Sequence, residues 1–273
     1  MPELPEVETI RRGLNKTVKG KRIKDITILL PKMVRRHSSK QEVASRTRGK
    51  KVLNVKRRGK ALLFILDSPD VLIFRLGMTG QMLWSHPRFP LRKDKHTHII
   101  IDFGKGERIL FRDMRQFGEV CMVKKEHVEE TLNMGPEPLN KGFTHETLKK
   151  ITSSPVKIKS LLMDQKRIAG IGNIYADEIL FESGIHPLRP GHLLKSKELK
   201  KLHREMGSIL NEAIARKGDT IGQYRNVFGE SGGYQHVHRV YQREGEDCHR
   251  CGTTIKRIKL SGRSCHFCPS CQK

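Results

Sequence analysis

Two groups of residues in this chain have the types and spacing for chemistry. The first is the opening Met1-Pro2-Glu3-Leu4-Pro5-Glu6-Val7-Glu8-Thr9-Ile10. Removal of the initiator methionine, the usual outcome before a residue as small as proline, makes Pro2 a free secondary amine with Glu3 and Glu6 close behind it. Such an amine can attack a sugar aldehyde carbon and form an iminium without a separate activating cofactor. Neighbouring carboxylates can move the protons that this requires. The structural alternative is that Pro5 opens a helix at its first turn, with Val7, Ile10 and Leu14 as its buried stripe. The two readings are compatible, since the helix can be the platform that aims the terminus.

The second group is Cys248-x2-Cys251, sixteen intervening residues, then Cys268-x2-Cys271. That spacing suits a four-thiolate zinc site built on two short turns, and metal is favoured over disulfides in a cytosolic chain. Four protein ligands close the coordination shell, so one ion should shape a hairpin and not catalyse. Cys265, His249 and His266 lie close enough in sequence to be substitute ligands, and Cys121 reads as core. Arg263, in Ser261-Gly262-Arg263-Ser264, falls within the hairpin, where a guanidinium can clamp phosphate.

Charge points to the partner. The chain has 54 Lys+Arg against 29 Asp+Glu, a net charge of +25. Residues 19–60 hold sixteen basic residues and two acidic ones, Asp25 and Glu42. Such an excess suits a polyphosphate whose counterions are released on binding. No apolar run approaches a membrane span, no secretory h-region follows the N-terminus, and no long basic amphipathic helix argues for a membrane surface. A soluble, cytoplasmic protein is expected.

These residues need elements to position them. After the opening helix, short strands are predicted at 23–30, 51–56, 61–66, 71–76, 97–103, 108–111 and 119–123, with a hairpin break at 104–107. They suggest an antiparallel sandwich or barrel. Met134-Gly135-Pro136-Glu137-Pro138 reads as a linker. Beyond it the periodicity turns helical, with one helix from near Asn173 to about Glu182, ending at Gly184, and another capped by Ser196. Residues 218–236, rich in glycine and polar side chains, are expected to be a mobile loop. The division that results is an N-terminal strand-rich domain at 1–132, a linker at 133–145, a helical stretch at 146–243 and the four-cysteine hairpin at 244–273.

Four blocks carry a family resemblance: Pro-Glu-Leu-Pro-Glu-Val-Glu-Thr from Pro2, Arg57-Arg58-Gly59-Lys60, Gly170-Ile171-Gly172-Asn173-Ile174-Tyr175, and the cysteine hairpin ending Cys268-Pro269-Ser270-Cys271-Gln272. In this order they closely resemble the formamidopyrimidine-DNA glycosylases, from end to end of the chain. Relatives with endonuclease VIII activity usually open Pro-Glu-Gly-Pro-Glu, where this chain has Leu4. The resemblance implies an α+β, two-domain fold: an N-terminal antiparallel β-sandwich with flanking helices, then a helix–two-turn–helix domain and a zinc-finger hairpin. It implies a monomer that binds double-stranded DNA containing damaged bases or abasic sites, with the nucleotide flipped out because an amine cannot reach C1′ in the stack.

By the same resemblance Pro2 is the nucleophile at C1′ and Glu3 the general acid/base. Glu6 positions Pro2 or a water, or else complements the helix dipole as a first-turn charge. Lys60 contacts the phosphate and the lesion side. The Asn173 amide, at a helix N-terminus, binds a phosphate oxygen or acts as an ordinary N-cap. Lys159 and Arg263 are further phosphate contacts. Met78, Arg115 and Phe117 fill the gap left by the flipped base, Arg115 facing the orphaned partner; without the family, Met78 and Phe117 read as core.

The departures fall on recognition. Arg75 stands where histidine is common, and it is a stronger phosphate ligand. The recognition loop, usually Gly-Gly-Ser-Thr-hydrophobic-Arg, is Lys217-Gly218-Asp219-Thr220-Ile221-Gly222 here. Gln242 follows Tyr241 where glycine is usual, and Ser264-Cys265 replaces Gly-Thr. The expected activity is therefore a bifunctional glycosylase and abasic-site lyase excising oxidised purines (8-oxoguanine, formamidopyrimidines) by β,δ-elimination. The alternatives are a paralogue acting mainly on abasic sites or other lesions, and a non-catalytic damaged-DNA binding protein.

Overall fold

In a computed structural model describing residues 2–35 and 39–273, the chain opens into helix α1 (Leu4–Val18), with Pro5 in its first turn. The initiator methionine, on whose removal the amine chemistry depends, lies outside the described residues. Glu3 is the N-cap of α1 and exchanges hydrogen bonds with Glu6 three residues on, which satisfies two amides that a helix start leaves unpaired. Val7, Ile10, Leu14 and Val18 form the buried stripe.

Eight strands follow: β1 (Asp25–Ile28), β2 (Val52–Arg58), β3 (Ala61–Leu66), β4 (Asp70–Arg75), β5 (Gly80–Ser85), β6 (Thr97–Gly104), β7 (Glu107–Asp113) and β8 (Glu119–Lys124). Helix α2 (Lys40–Thr47) precedes β2, and α3 (Val128–Leu132) follows β8. The strands make two four-stranded antiparallel sheets, in the orders β1-β6-β7-β5 and β2-β3-β4-β8. The sheets share one core, in which the Phe74 and Phe111 rings meet edge-on at 5.6 Å. This is the expected sandwich, with β5, α2 and α3 added to the predicted elements.

These elements, up to Asn133, form one compact unit together with Arg216–Gly233. The second unit comprises Met134–Ala215 and Tyr234–Lys273. The structure thus groups residues 216–233 with the sandwich, whereas the sequence reading put them in the stretch 146–243.

The second unit contains α4 (His145–Thr152), α5 (Ile158–Met163), α6 (Asn173–Ser183) and α7 (Ser196–Ala215), then the hairpin β9 (Lys256–Leu260) and β10 (Arg263–Phe267). α6 ends at Gly184, as predicted. In α7, Leu199, Leu202, Met206, Ile209, Leu210 and Ala213 are buried at the predicted spacing. Nearly every side chain of α6 is buried, which makes its two acids, Asp177 and Glu178, the exceptions that need partners.

Candidate active site and nucleic-acid interface

Pro2, Glu3 and Glu6 are all buried at the head of α1, with Glu3 2% and Glu6 1% exposed. The Glu3 N–H donates to Glu6 Oε2 at 2.7 Å. The Asp219 N–H donates to Glu6 Oε1, also at 2.7 Å. Glu6 therefore ties the chain start to the loop at 217–222. Gly218, at φ 83°, is required at this crossing: a Cβ would lie 2.7 Å from Glu6 Oε1. Lys60 is half-buried in the two-residue turn between β2 and β3, where Arg58 pairs with Ala61.

The glycine-rich stretch at 218–236 carries hydrogen bonds of its own along its first part. The Asp219 carboxylate accepts the Ile221 N–H at 2.9 Å, and Thr220 Oγ1 accepts the Gly232 N–H at 2.7 Å. Tyr224 donates its hydroxyl to the Lys217 carbonyl, and the Gln81 amide donates to the Gln223 carbonyl. Burial and the nearby Glu6 charge push the Tyr224 phenol above its usual pKa. Gly222 has open space around it at φ 84°.

Met78 and Phe117 are 40% and 50% exposed, so the structure sets aside the core reading for both. They sit on two adjoining loops: a Cβ on Gly77 (φ 63°) would lie 2.7 Å from the Gly118 nitrogen. Arg115 is exposed and its guanidinium lies over the Phe117 ring, 4.9 Å from the centroid. The organiser of both loops is Asp113, fully buried, which the sequence reading missed. It accepts the Thr79 hydroxyl and, at 2.6 Å, the Gly118 N–H, while Thr79 Oγ1 accepts the Arg115 N–H at 2.9 Å. The available signal was a lone carboxylate closing the apolar strand Ile109-Leu110-Phe111, since a buried acid must be hydrogen-bonded. Arg75 is engaged with protein: its Nε lies 3.3 Å from Glu119 Oε1, and Nη2 donates to the Thr131 carbonyl.

In the second unit, Gly172 is the N-cap of α6 and Asn173 its first residue, which corrects the reading of Asn173 as the cap. The Asn173 Oδ1 is buried without a hydrogen-bond partner among the described residues. The two turns before α6 are held by Gln165, which accepts the Gly170 N–H at 2.9 Å and donates to the Ile171 carbonyl at 2.7 Å. Arg263 is exposed and follows the Ser261-Gly262 turn of the β9–β10 hairpin. Lys159, expected on phosphate, is 1% exposed, with Nζ 2.7 Å from Asp177 Oδ1 and donating to the Ser264 carbonyl at 2.7 Å. Its charge is spent inside the protein. Glu178 accepts the N–H groups of Arg239, Val240 and Tyr241, which fixes the chain just before the finger. Burial still pushes its carboxyl above the usual range.

The thiols of Cys248, Cys251, Cys268 and Cys271 converge, all four sulfurs lying within 4.8 Å of one another. A tetrahedral zinc–thiolate shell sets sulfurs roughly 3.8 Å apart, and the Cys248–Cys271 and Cys251–Cys268 sulfurs lie at 3.9 and 3.5 Å. The donor set fits one structural zinc ion without His249, Cys265 or His266. Burial beside Asp177 pushes the Cys265 thiol up to about 12, and His266 faces Asp177 and Glu244.

Three family models match this chain in order. They are the formamidopyrimidine-DNA glycosylase N-terminal domain over residues 1–120, the formamidopyrimidine-DNA glycosylase H2TH domain over 134–225, and the zinc finger found in FPG and IleRS over 245–273. The formamidopyrimidine-DNA glycosylase of Geobacillus kaustophilus is 42% identical over the whole of both chains. That of Bacillus subtilis is 41% identical over 100% of this chain and 99% of its own. Among solved structures, Lactococcus lactis Fpg in complex with abasic-site DNA superimposes with a TM-score of 0.92 at 34% identity, over 99% of each chain. MutM in complex with DNA containing carbocyclic 8-oxo-G gives 0.91 at 34% identity, over both whole chains.

Proposed function

This chain belongs to the formamidopyrimidine-DNA glycosylase family, and from that premise we propose that it excises oxidised purines from double-stranded DNA and cuts the strand at the abasic site. The observation that carries the reading is the buried arrangement of Pro2, Glu3 and Glu6, with the Glu3–Glu6 pair locked by reciprocal hydrogen bonds. Once the terminus is processed, the Pro2 nitrogen attacks C1′ of the flipped nucleotide. The C1′–base bond breaks, and the base leaves with a proton. Glu3 protonates the ring oxygen as the sugar opens, giving an iminium through loss of the amine proton. Removal of a C2′ proton expels the 3′ phosphate, a second elimination expels the 5′ phosphate, and water releases Pro2.

Asn173 at the α6 N-terminus and Arg263 at the finger tip bind phosphates, with Lys60 on the lesion side. Arg75 reaches phosphate only by exchanging its Glu119 and Thr131 contacts. Met78, Arg115 and Phe117 occupy the vacated stack. Zinc, when bound, holds the finger and takes no part in the eliminations. The enzyme works as a cytoplasmic monomer, and among the described residues no helix is long and apolar enough to cross a membrane.

A second reading rests on Gly222 and Asp219: a paralogue that cuts abasic sites and releases little 8-oxoguanine. Borohydride trapping on duplexes carrying 8-oxoguanine opposite cytosine or an abasic site, with mass spectrometry of the crosslink, separates the readings. Crosslinks through Pro2 on both duplexes support the first, and a crosslink on the abasic duplex alone supports the second. Tight binding with no crosslink would reduce the protein to a damage-binding module.

A further inference from the structure

Asp177 has no step in the reaction above, yet it joins the two elements assigned to the DNA backbone in the second unit. On α6 it stands four residues after Asn173, on the same face. Its Oδ2 accepts the His266 N–H at 2.9 Å and lies 3.1 Å from His266 Nδ1. Its Oδ1 lies 2.7 Å from Lys159 Nζ, which itself donates to the Ser264 carbonyl. β10 is therefore fastened at Ser264 and at His266, directly after Arg263. Asp177 and Lys159 are each 1% exposed, so neither charge can reach DNA without abandoning the other. A buried ion pair is a poor source of stability compared with an apolar replacement; the hydrogen bonds from His266 N–H to Asp177 Oδ2 and from Lys159 Nζ to the Ser264 carbonyl are what fix geometry.

We infer that Asp177 is a positioning residue which, with Lys159 as its strut, sets Arg263 relative to the α6 N-terminus so that Arg263 and Asn173 engage phosphates together. Holding both groups in place beforehand removes an ordering cost from binding. The inference rests on the proposed phosphate roles of Arg263 and Asn173.

The test measures affinity for a duplex carrying a tetrahydrofuran abasic analogue across a range of salt, with zinc content and thermal melting as folding controls. Arg263→Ala should flatten the slope of log affinity against log salt by about 1, the value for one phosphate contact. Asp177→Asn should flatten it by a similar amount, and adding Arg263→Ala to it should cost little more. On abasic DNA the KM should rise while kcat at saturating DNA holds. Should Asp177→Asn fail to fold, Asp177→Asn with Lys159→Met leaves no unpaired buried charge and should flatten the slope in the same way. A folded Asp177 variant with the parent slope, or losses that add fully with Arg263→Ala, would overturn the inference. If Arg263→Ala itself leaves the slope unchanged, the phosphate reading has failed and the positioning role falls with it.

Discussion

The Glu6 carboxylate accepts the Asp219 N–H at 2.7 Å across 213 residues of sequence, while its other oxygen accepts the Glu3 N–H. One buried side chain thus sets both the start of α1 and the 217–222 loop. The chemistry proposed at Pro2 and the recognition proposed at the loop would share this anchor, and a change at Glu6 should disturb the two unequally.

Glu6→Gln keeps the shape but puts an N–H2 where one of the two backbone N–H groups now finds an oxygen. Losing a hydrogen bond to a charged acceptor costs about 1.5–3 kcal/mol, or roughly 10- to 150-fold. The Asp219 N–H is the one set to lose its acceptor, because the Glu3–Glu6 contact is local to the first turn of α1. Base release should therefore fall by roughly that factor while cutting of a preformed abasic site falls much less. Single-turnover rates on the two duplexes check this, and equal losses on both would assign Glu6 to the lyase chemistry alone.

Asp113 binds two loops from beneath, through Thr79 and Gly118. Asp113→Asn should cost about 2–3 kcal/mol of stability, since it weakens two charge-assisted bonds in a buried site. Its functional signature should be a narrowed spread of kcat/KM across the four bases opposite the lesion, because Arg115 and Phe117 lose their support. A stable variant with unchanged opposite-base preference would separate Asp113 from recognition.

Periodicity reports one buried face at a time, which explains what the sequence concealed. β5 escaped notice because Gly80-Gln81-Met82-Leu83 is buried throughout, leaving no alternation to read. α2 is short and mostly polar, although Ser39 accepting the Glu42 N–H is a capping signal visible at S-x-x-E spacing. The cysteine site was legible because a metal shell dictates spacing along the chain. Glu3 and Glu6 were legible for a similar reason, being held by local helix geometry. Lys159 was not: its partner Asp177 lies on the next helix, and only the tertiary structure turns a presumed phosphate ligand into an internal strut. The same holds for the Glu6–Asp219 bond, which no local pattern encodes.

Zinc removal should act mainly on the finger. Its own apolar cluster is small, comprising Phe181, Val240, Ile255 and the ligands Cys248, Cys268 and Cys271, so the metal must supply much of the local folding energy. Complete chelation should open residues 245–273 to proteolysis and weaken duplex binding at least ~10-fold through loss of Arg263 and its strand. The sandwich should still melt cooperatively. Unchanged affinity in verified metal-free protein would dissociate the finger from DNA binding.

Gly222 offers the sharpest test of lesion choice, because the family resemblance implies a basic residue at this place in the loop. No atom lies within 4 Å of a Cβ built there, so a side chain has room, yet φ is 84°. A non-glycine residue in that conformation costs about 1–2 kcal/mol, which the loop can bear given its ties at Asp219, Thr220, Gln223 and Tyr224. If the missing cation limits 8-oxoguanine recognition, Gly222→Arg should raise release of that base several-fold and leave abasic-site cutting unchanged. Gly222→Ala carries the same backbone strain without the charge and serves as the control. Equal loss of base release in both variants would mean that this loop uses glycine for its backbone conformation, and that its lesion preference is set instead by the carboxylate of Asp219 and the fold it holds.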